Sequence, residues 1–248
     1  MKITILQTNI IWASPEANAI EAEKLIASAP QSDLYVLPEM WSTGFATEPT
    51  DIAEKDSTSL NWMTQIAQRQ NAAVSGSVAI EHEGLFYNRH YFCLPDGTLY
   101  TYDKHHLFSY GGENRFYTPG NKRTIASYKG IRFLLQTCYD LRFPEWNRYR
   151  GDFDAIICVA NWPQKRMLAW ETLIRARAID NECLVIAANR VGNDKQYCYE
   201  GRSAIINAYG EPLALATDDM QMTISADFDI NQQNDYRKKF PVLEEIDK

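Results

Sequence analysis

The chain has 248 residues, of which 45% are hydrophobic and 23% are charged, and these globular values predict a single domain over residues 1–248. Its formal net charge of −7 argues against a nucleic-acid partner, because nucleic-acid-binding domains usually present a basic face. The five cysteines include no C-x-x-C pair, which argues against disulfide and zinc frameworks and predicts a reducing compartment, the cytoplasm.

The first third of the sequence predicts alternating strands and helices. "KITILQT" is typical of a strand, and the polar residues within "MKITILQTNI" argue against a signal peptide. Ser14 and Pro15 begin a predicted helix through "EANAIEAEKLIASA", and the strand "LYVL" then ends at Pro38. A second helix, "LNWMTQIAQRQ", follows Asp56 and Ser57, and "AAVSGSVAI" predicts the next strand.

After residue 84 the pattern becomes antiparallel and then mixed. "LFYNRHYFCL", a Pro95-Asp96-Gly97 turn and "TLYTYDK" predict a hairpin. Three buried strands, "IRFLLQT", "DAIICVA" and "CLVIAAN", follow, with the helix "WETLIRARAIDN" between the last two. A final meander, "SAIINA", "LALA" and "MTISADF", is predicted to close the sheet. The longest apolar run, residues 155–160, is too short to span a membrane, so we expect a layered α/β domain with mixed sheets.

Cys138 stands at the end of the apolar segment "LLQT", and three charged residues follow it closely. A buried structural cysteine and a nucleophile at a strand end both fit this position. We interpret the charged residues as a turn that holds Cys138 in place through ion pairs; they are Asp140, Arg142 and Glu145. A catalytic role for the thiol would require a base elsewhere in the chain, because the thiolate is the nucleophile.

Histidine and carboxylate side chains are the candidates for this base. Two of the four histidines occupy positions typical of structural residues, His82 and His90, and two follow Lys104 and remain candidates, His105 and His106. Glu39 directly follows a predicted buried strand, where it is either a base in a cleft or a surface carboxylate. Lys104 is either solvated or buried with a carboxylate partner. A carboxylate, a cation and a thiol at three strand ends are the groups that acyl transfer requires.

The segments around these three residues resemble a known family. "LPEMWSTGF" around Glu39, "YDKHHLF" around Lys104 and "TCYDLRFPEW" around Cys138 are similar, in the same order, to the three catalytic motifs of the nitrilase, or carbon-nitrogen hydrolase, superfamily. The resemblance extends from the first strand to "RKKFPVL" near the C-terminus. It implies a four-layer α-β-β-α sandwich with two mixed sheets, a homodimer, a small-molecule amide substrate, and neither a metal nor an organic cofactor.

Carried over by position, the resemblance implies a catalytic triad of Glu39, Lys104 and Cys138. Glu113, in "GGENRFYTPG", matches an additional glutamate of the family. The implied mechanism has Glu39 accept the thiol proton as the sulfur attacks an amide carbonyl, which forms a thioester. Lys104 and the backbone N–H of Tyr139 would then stabilise the oxyanion.

Within the superfamily, "CYDLRFPEW" together with "NWP" and "NRVG" most resembles the ω-amidase branch, which hydrolyses the terminal amide of 2-oxoglutaramate or 2-oxosuccinamate. The carboxylate of such a substrate needs a cation, and we predict Arg166 in this role with Lys165 as the alternative. Trp162 is predicted to contact the substrate. Other specificities that use the same triad remain open, namely deaminated-glutathione amidase, N-carbamoyl amino-acid hydrolase and true nitrilase. A catalytically idle binding scaffold is the alternative from another functional class.

Overall fold

Two six-stranded β-sheets face each other in the computed structural model, which describes residues 1–245. The last three residues of the predicted domain, 246–248, lie outside the described residues. In chain order the strands are β1 (Lys2–Gln7), β2 (Leu34–Val36), β3 (Ala73–His82), β4 (Leu85–Cys93), β5 (Leu99–Asp103), β6 (Ile125–Tyr128), β7 (Ile131–Thr137), β8 (Ala155–Ala160), β9 (Leu184–Asn189), β10 (Val191–Asn193), β11 (Cys198–Glu200), β12 (Ala204–Ile206), β13 (Pro212–Leu215) and β14 (Met222–Asp227). The helices are α1 (Pro15–Ser28), α2 (Thr58–Gln70), α3 (Pro144–Asn147), α4 (Met167–Asp180) and α5 (Ile230–Lys239).

The first sheet has the strand order β14-β1-β2-β3-β4-β5. β1, β2 and β3 are parallel, while β4, β5 and β14 run antiparallel to their neighbours. The apolar faces of α1 and α2 cover the outer surface of this sheet, where Ile26 of α1 and Met63 of α2 are buried. α2 ends at Asn71, whose φ of 49° is the left-handed conformation that terminates many helices.

The second sheet has the order β13-β12-β9-β8-β7-β6, and its central strands β7, β8 and β9 are parallel. Every residue of β8 and β9 is buried, as expected for parallel strands that are covered on both faces. α4 packs on the outer surface through Trp170 and Ile174. Side chains from both sheets, such as Phe92 and Phe133, fill the space between them. The predicted four-layer α-β-β-α sandwich with two mixed sheets is therefore confirmed.

The C-terminal part of the chain differs from the prediction. The final meander does not close one sheet, because β12 and β13 extend the second sheet whereas β14 pairs with β1 in the first, with Lys2 opposite Asp227. Helix α5 was not predicted, since its residues "INQQNDYRKK" are polar and it buries only Gln233. Its start is nevertheless encoded locally, because the side chain of Asp229 accepts a hydrogen bond from the N–H of Asn231. Within residues 1–245, no helix is long and apolar enough to cross a membrane.

Candidate active site

Three of the residues singled out in the sequence form a buried ionic cluster between the sheets. Lys104 Nζ lies 2.9 Å from Glu39 Oε1 and 2.9 Å from Glu113 Oε2. All three side chains are fully inaccessible to solvent. The cluster joins residues that are up to 74 positions apart in the sequence, since Glu39 and Lys104 are separated by 65 and Lys104 and Glu113 by 9. Lys104 is therefore a buried cation with two carboxylate partners and not a solvated lysine.

The ends of neighbouring strands bring these side chains together. Glu39 follows β2, Lys104 follows β5, and Glu113 begins a short 3-10 turn that Gly112 enters with a φ of 83°. Cys138 follows β7 and adopts a φ of 48°, a left-handed conformation that is strained for a residue with a side chain. Such a turn projects the thiol away from the strand direction.

Glu39 receives hydrogen bonds at both carboxylate oxygens. Oε1 accepts from Lys104 Nζ and, at 2.8 Å, from Asn88 Nδ2, while Oε2 accepts from the backbone N–H of Asn161 at 2.8 Å. The side chain of Asn161 in turn donates to the backbone oxygen of Glu39 at 2.6 Å. These bonds link β2 of the first sheet with β8 of the second, so the base candidate is fixed to both halves of the sandwich.

Glu113 also accepts from Lys104, and its Oε2 accepts from the backbone N–H of Phe108 at 2.6 Å. Burial raises the pKa of Glu113, and the charge of Lys104 opposes that effect only in part. Burial by itself would lower the pKa of Lys104, but the carboxylates of Glu113 and Glu39 outweigh it and raise that pKa well above its usual range. Lys104 therefore remains charged in this dry environment.

The charges of Glu39, Lys104 and Glu113 all act on the pKa of the Cys138 thiol. Burial, and after it the negative charge of Glu39, raise the pKa of Cys138 well above its ordinary value, although Lys104 opposes the rise. The resting group is consequently a neutral thiol, and its attack on an electrophile requires simultaneous transfer of the proton to a base. Glu39 is the carboxylate with the larger effect on the thiol.

The histidines are engaged away from this cluster. His105 Nδ1 lies 2.6 Å from the carbonyl oxygen of Gly120, and its ring stacks on Trp146 at 3.8 Å. His106 pairs with Asp140 at 2.9 Å. His90, which is buried, lies 2.8 Å from Ser75 Oγ. These three histidine rings are therefore engaged by other groups, which leaves the carboxylates as candidates for the base.

The turn after Cys138 is held by hydrogen bonds and not by the predicted ion pairs. Asp140 accepts from the backbone N–H of Thr137 at 3.1 Å, from Tyr102 Oη at 2.7 Å and from the backbone N–H of His106 at 2.8 Å. Glu145 is exposed and, within residues 1–245, forms no ion pair with Arg142, the cation of this turn. The predicted ion pair with Arg142 was wrong, because the three donors just named are neutral and hold the buried Asp140 without a second desolvated charge.

A pocket opens onto Cys138. Tyr139, Trp162 and Arg166, which were predicted from the sequence to bind substrate, all line it, whereas Lys165 is exposed and does not. The guanidinium of Arg166 lies 5.2 Å from the ring of Phe108.

One pocket residue, Arg142, and one residue of the ionic cluster, Asn88, were assigned differently or not at all from the sequence. Arg142, interpreted as part of the turn, lines the pocket with its guanidinium 4.8 Å from the Trp162 ring. Neither Arg142 nor Arg166 has a carboxylate partner among the residues that the structure describes, so the pocket presents two uncompensated cations. Asn88 was missed, although the strand "LFYNRHYF" carries two polar residues, Asn88 and His90, at the two-residue spacing of one buried face.

Sequence comparison agrees with this geometry. A family model described as carbon-nitrogen hydrolase matches residues 2–238. The chain belongs to the carbon-nitrogen hydrolase family. Members of this family hydrolyse carbon-nitrogen bonds, so the chain is a hydrolase that acts on such bonds. Within residues 1–245, no cluster of three or more His, Cys, Asp and Glu side chains has the arrangement of a metal site.

Several relatives of this hydrolase are similar over their whole length. The chain is 40% identical to the omega-amidase YafV of Escherichia coli (strain K12), over 100% of this chain and 97% of the relative. It is 32% identical to the 2-oxoglutaramate amidase of Bacillus subtilis (strain 168), over 99% and 97%. The crystal structure of a CN-hydrolase superfamily protein from Xanthomonas campestris, which carries an arsenic adduct in its active site, superposes with a TM-score of 0.95 at 38% identity, over 100% and 97%.

Proposed function

We propose that this hydrolase is an ω-amidase, which converts the terminal amide of 2-oxoglutaramate or 2-oxosuccinamate to the acid and ammonia through a thioester on Cys138. The observation that carries the proposal is the buried Glu39–Lys104–Glu113 cluster beside a thiol that opens into a cationic pocket. The likeness to an omega-amidase and to a 2-oxoglutaramate amidase supports the same substrate class.

In the proposed acylation step, the sulfur of Cys138 attacks the amide carbon while the thiol proton passes to Glu39. Lys104 and the backbone N–H of Tyr139 stabilise the oxyanion, and one such donor contributes about 3 kcal/mol in other acyl-transfer enzymes. The carbon-nitrogen bond then breaks as Glu39 returns the proton to the departing nitrogen, which leaves as ammonia. The products of this step are free ammonia and the thioester.

In the second step, water replaces ammonia. Glu39 accepts a proton from the water as its oxygen attacks the thioester carbon, and the carbon-sulfur bond breaks with return of the proton to Cys138. Glu113 keeps Lys104 in place and charged through both steps, as its two contacts with the ammonium group at 2.9 and 3.1 Å indicate. The enzyme is thereby restored without a cofactor in the cycle.

Arg166 and Arg142 are the proposed anchors for the substrate carboxylate, because both lie in the pocket without an internal carboxylate partner. Trp162 lines the same pocket, and its Nε1 donates to the backbone oxygen of Arg166 at 2.8 Å. That bond orients the segment that carries Arg166.

A substitution of Arg166 tests this specificity. Arg166→Met should lower kcat/KM for 2-oxoglutaramate by about 1.5 to 3 kcal/mol, the scale of a charge-assisted hydrogen bond, and leave a neutral short-chain amide almost unaffected. Lys165→Met is the matched control, since this neighbouring lysine is exposed outside the pocket. Equal losses on both substrates would show that Arg166 supports the pocket structurally, and no loss on either would leave Arg142 as the anchor.

A substrate panel tests the activity itself. Ammonia release should be fastest from 2-oxoglutaramate or succinamate and much slower from glutamine and a simple nitrile. If deaminated glutathione, an N-carbamoyl amino acid or the nitrile were turned over fastest, the ω-amidase specificity would be refuted in favour of that substrate. Failure of every amide together with slow alkylation of Cys138 by iodoacetamide would favour the idle scaffold.

We also propose that the chain forms one domain and acts as a homodimer in the cytoplasm. An exposed aromatic stack on the outer side supports the dimer, since the rings of Tyr209 and Tyr236 lie 4.0 Å apart and Phe240 packs beside Tyr236. Apolar surface of this kind is favourable to bury against a partner. Sedimentation should give a mass of twice 28.5 kDa, and a monomer at micromolar concentration would contradict the dimer.

A further inference from the structure

Two serines of β3 make parallel contacts with two polar residues of β4. Ser75 Oγ lies 2.8 Å from His90 Nε2, and Ser77 Oγ lies 2.8 Å from Asn88 Oδ1. All four side chains are at most 1% exposed. The first pair continues from His90 Nδ1 to the backbone oxygen of Gln136 at 3.1 Å, whereas the second continues to the ionic cluster.

The hydrogen bonds fix the orientation of the Asn88 amide. Ser77 Oγ accepts the backbone N–H of Met40 at 2.9 Å, which leaves its own proton to donate to Asn88 Oδ1. The NH₂ group of Asn88 must then face the carboxylates. Its nitrogen lies 2.8 Å from Glu39 Oε1 and 3.2 Å from Glu113 Oε1, so the two hydrogens of one amide serve two different carboxylates.

The charges around this amide do not balance. Facing it are the carboxylates of Glu39 and Glu113, the ammonium of Lys104, and, farther off, the neutral thiol of Cys138 and phenol of Tyr117. The phenol donates to the backbone oxygen of Ala46 and so gives nothing to the carboxylates. Two carboxyl groups therefore share one ammonium group in a dry interior, where like charges repel strongly.

Asn88 stabilises this arrangement without changing its charge. A second lysine here would neutralise the cluster and weaken the base, and a hydroxyl group could donate only one proton. A primary amide donates twice, and the other side-chain donor that reaches both carboxylates within residues 1–245 is Lys104. Donation to the ionised form makes the carboxylate pair bind a proton less readily.

We propose that Asn88, oriented by Ser77, is a positioning residue that holds Glu39 and Glu113 side by side against Lys104 and keeps Glu39 free to accept the proton of Cys138. This inference rests on the proposed role of Glu39 as the base. It does not depend on which amide is the natural substrate.

The pH dependence of Cys138 alkylation tests it without any amide. Iodoacetamide would be added over pH 4 to 9, and the Cys138 peptide followed by mass spectrometry so that other thiols do not contribute. The acid limb of the profile is the part in which the alkylation rate falls as the pH is lowered. In Asn88→Leu, which keeps the side-chain shape, this acid limb should move to higher pH by about 1 to 2 units. Ser77→Ala should move it in the same direction by less. Ser75→Ala, which removes an equally buried hydroxyl from the same strand, should leave it unchanged.

The outcomes separate this inference from the proposed function. An acid limb that stays in place while Asn88→Leu and Ser77→Ala lower the rate by a constant factor would overturn it, because mere loosening of the site acts equally at every pH. An equal shift in Ser75→Ala would overturn it as well. If Asn88→Leu fails to fold, the comparison of Ser77→Ala with Ser75→Ala tests the inference instead. Shifted acid limbs in an enzyme that hydrolyses no amide of the panel would support the inference and refute the ω-amidase.

Discussion

Replacing Lys104 with methionine would remove the ammonium group that lies between two carboxylates that are fully inaccessible to solvent. In the proposed mechanism the oxyanion would lose a charged donor, so kcat should fall by about two to three orders of magnitude. Breaking a buried ion pair from one side also leaves uncompensated charge, and we expect the free energy of unfolding to fall by about 3 to 5 kcal/mol at pH 8. Activity and stability should therefore be lost together.

The stability loss should depend on pH in a defined direction. Burial already raises the pKa of Glu113, and Lys104→Met removes the charge that most opposes that rise, although the backbone N–H of Phe108 still opposes it. A carboxyl group whose folded-state pKa exceeds its unfolded value contributes stability at low pH and loses it as the pH increases. The deficit of Lys104→Met relative to the wild type should consequently be smaller at pH 5 than at pH 8.

Urea unfolding followed by tryptophan fluorescence, at one fixed protein concentration, measures these effects. The matched control is Lys55→Met, because Lys55 pairs with Glu81 at 3.0 Å on the surface and should change stability by less than about 1 kcal/mol. Adding Glu113→Gln to Lys104→Met removes one stranded charge and should recover part of the stability but no turnover. Near-normal kcat in Lys104→Met would refute the catalytic role, and an unfolding midpoint equal to that of Lys55→Met would refute the electrostatic argument.

Two further predictions concern the thiol and the buried histidine. Cys138→Ala should reduce turnover at least about a thousandfold with little change in the free energy of unfolding. Cys158→Ala, which removes another buried thiol, should leave kcat unchanged. Loss of kcat in Cys158→Ala with an unchanged melting profile would show that the nucleophile was misassigned. Burial lowers the pKa of His90 to about 3, so the unfolded chain binds a proton there below about pH 6.5 and stability is lost as the pH falls. By pH 5 this loss amounts to about 2 kcal/mol of the free energy of unfolding. His90→Gln should make the free energy of unfolding depend less on pH between about 6.5 and 5. Equal pH slopes of that free energy in the variant and the wild type would contradict this expectation.

The sequence determined the local elements and the reactive residues. Strands such as β8 are continuous apolar runs, α1 begins at Ser14 and Pro15, and the turn at Gly97 separates β4 from β5, so each could be predicted from neighbouring residues alone. The polar residue after each buried strand end, Glu39 or Cys138, stood out for the same reason.

The partners of those residues were decided by the tertiary structure. The bond from Asn161 to Glu39 joins residues 122 positions apart, and that from Asn88 spans 49, so no local pattern encodes either contact. Arg142 follows Cys138 by four residues and could as well have faced Asp140; packing against Trp162 turns it into the pocket. β14 likewise pairs with β1 across almost the whole chain, because an alternating strand specifies which face is buried but not which sheet receives its edge.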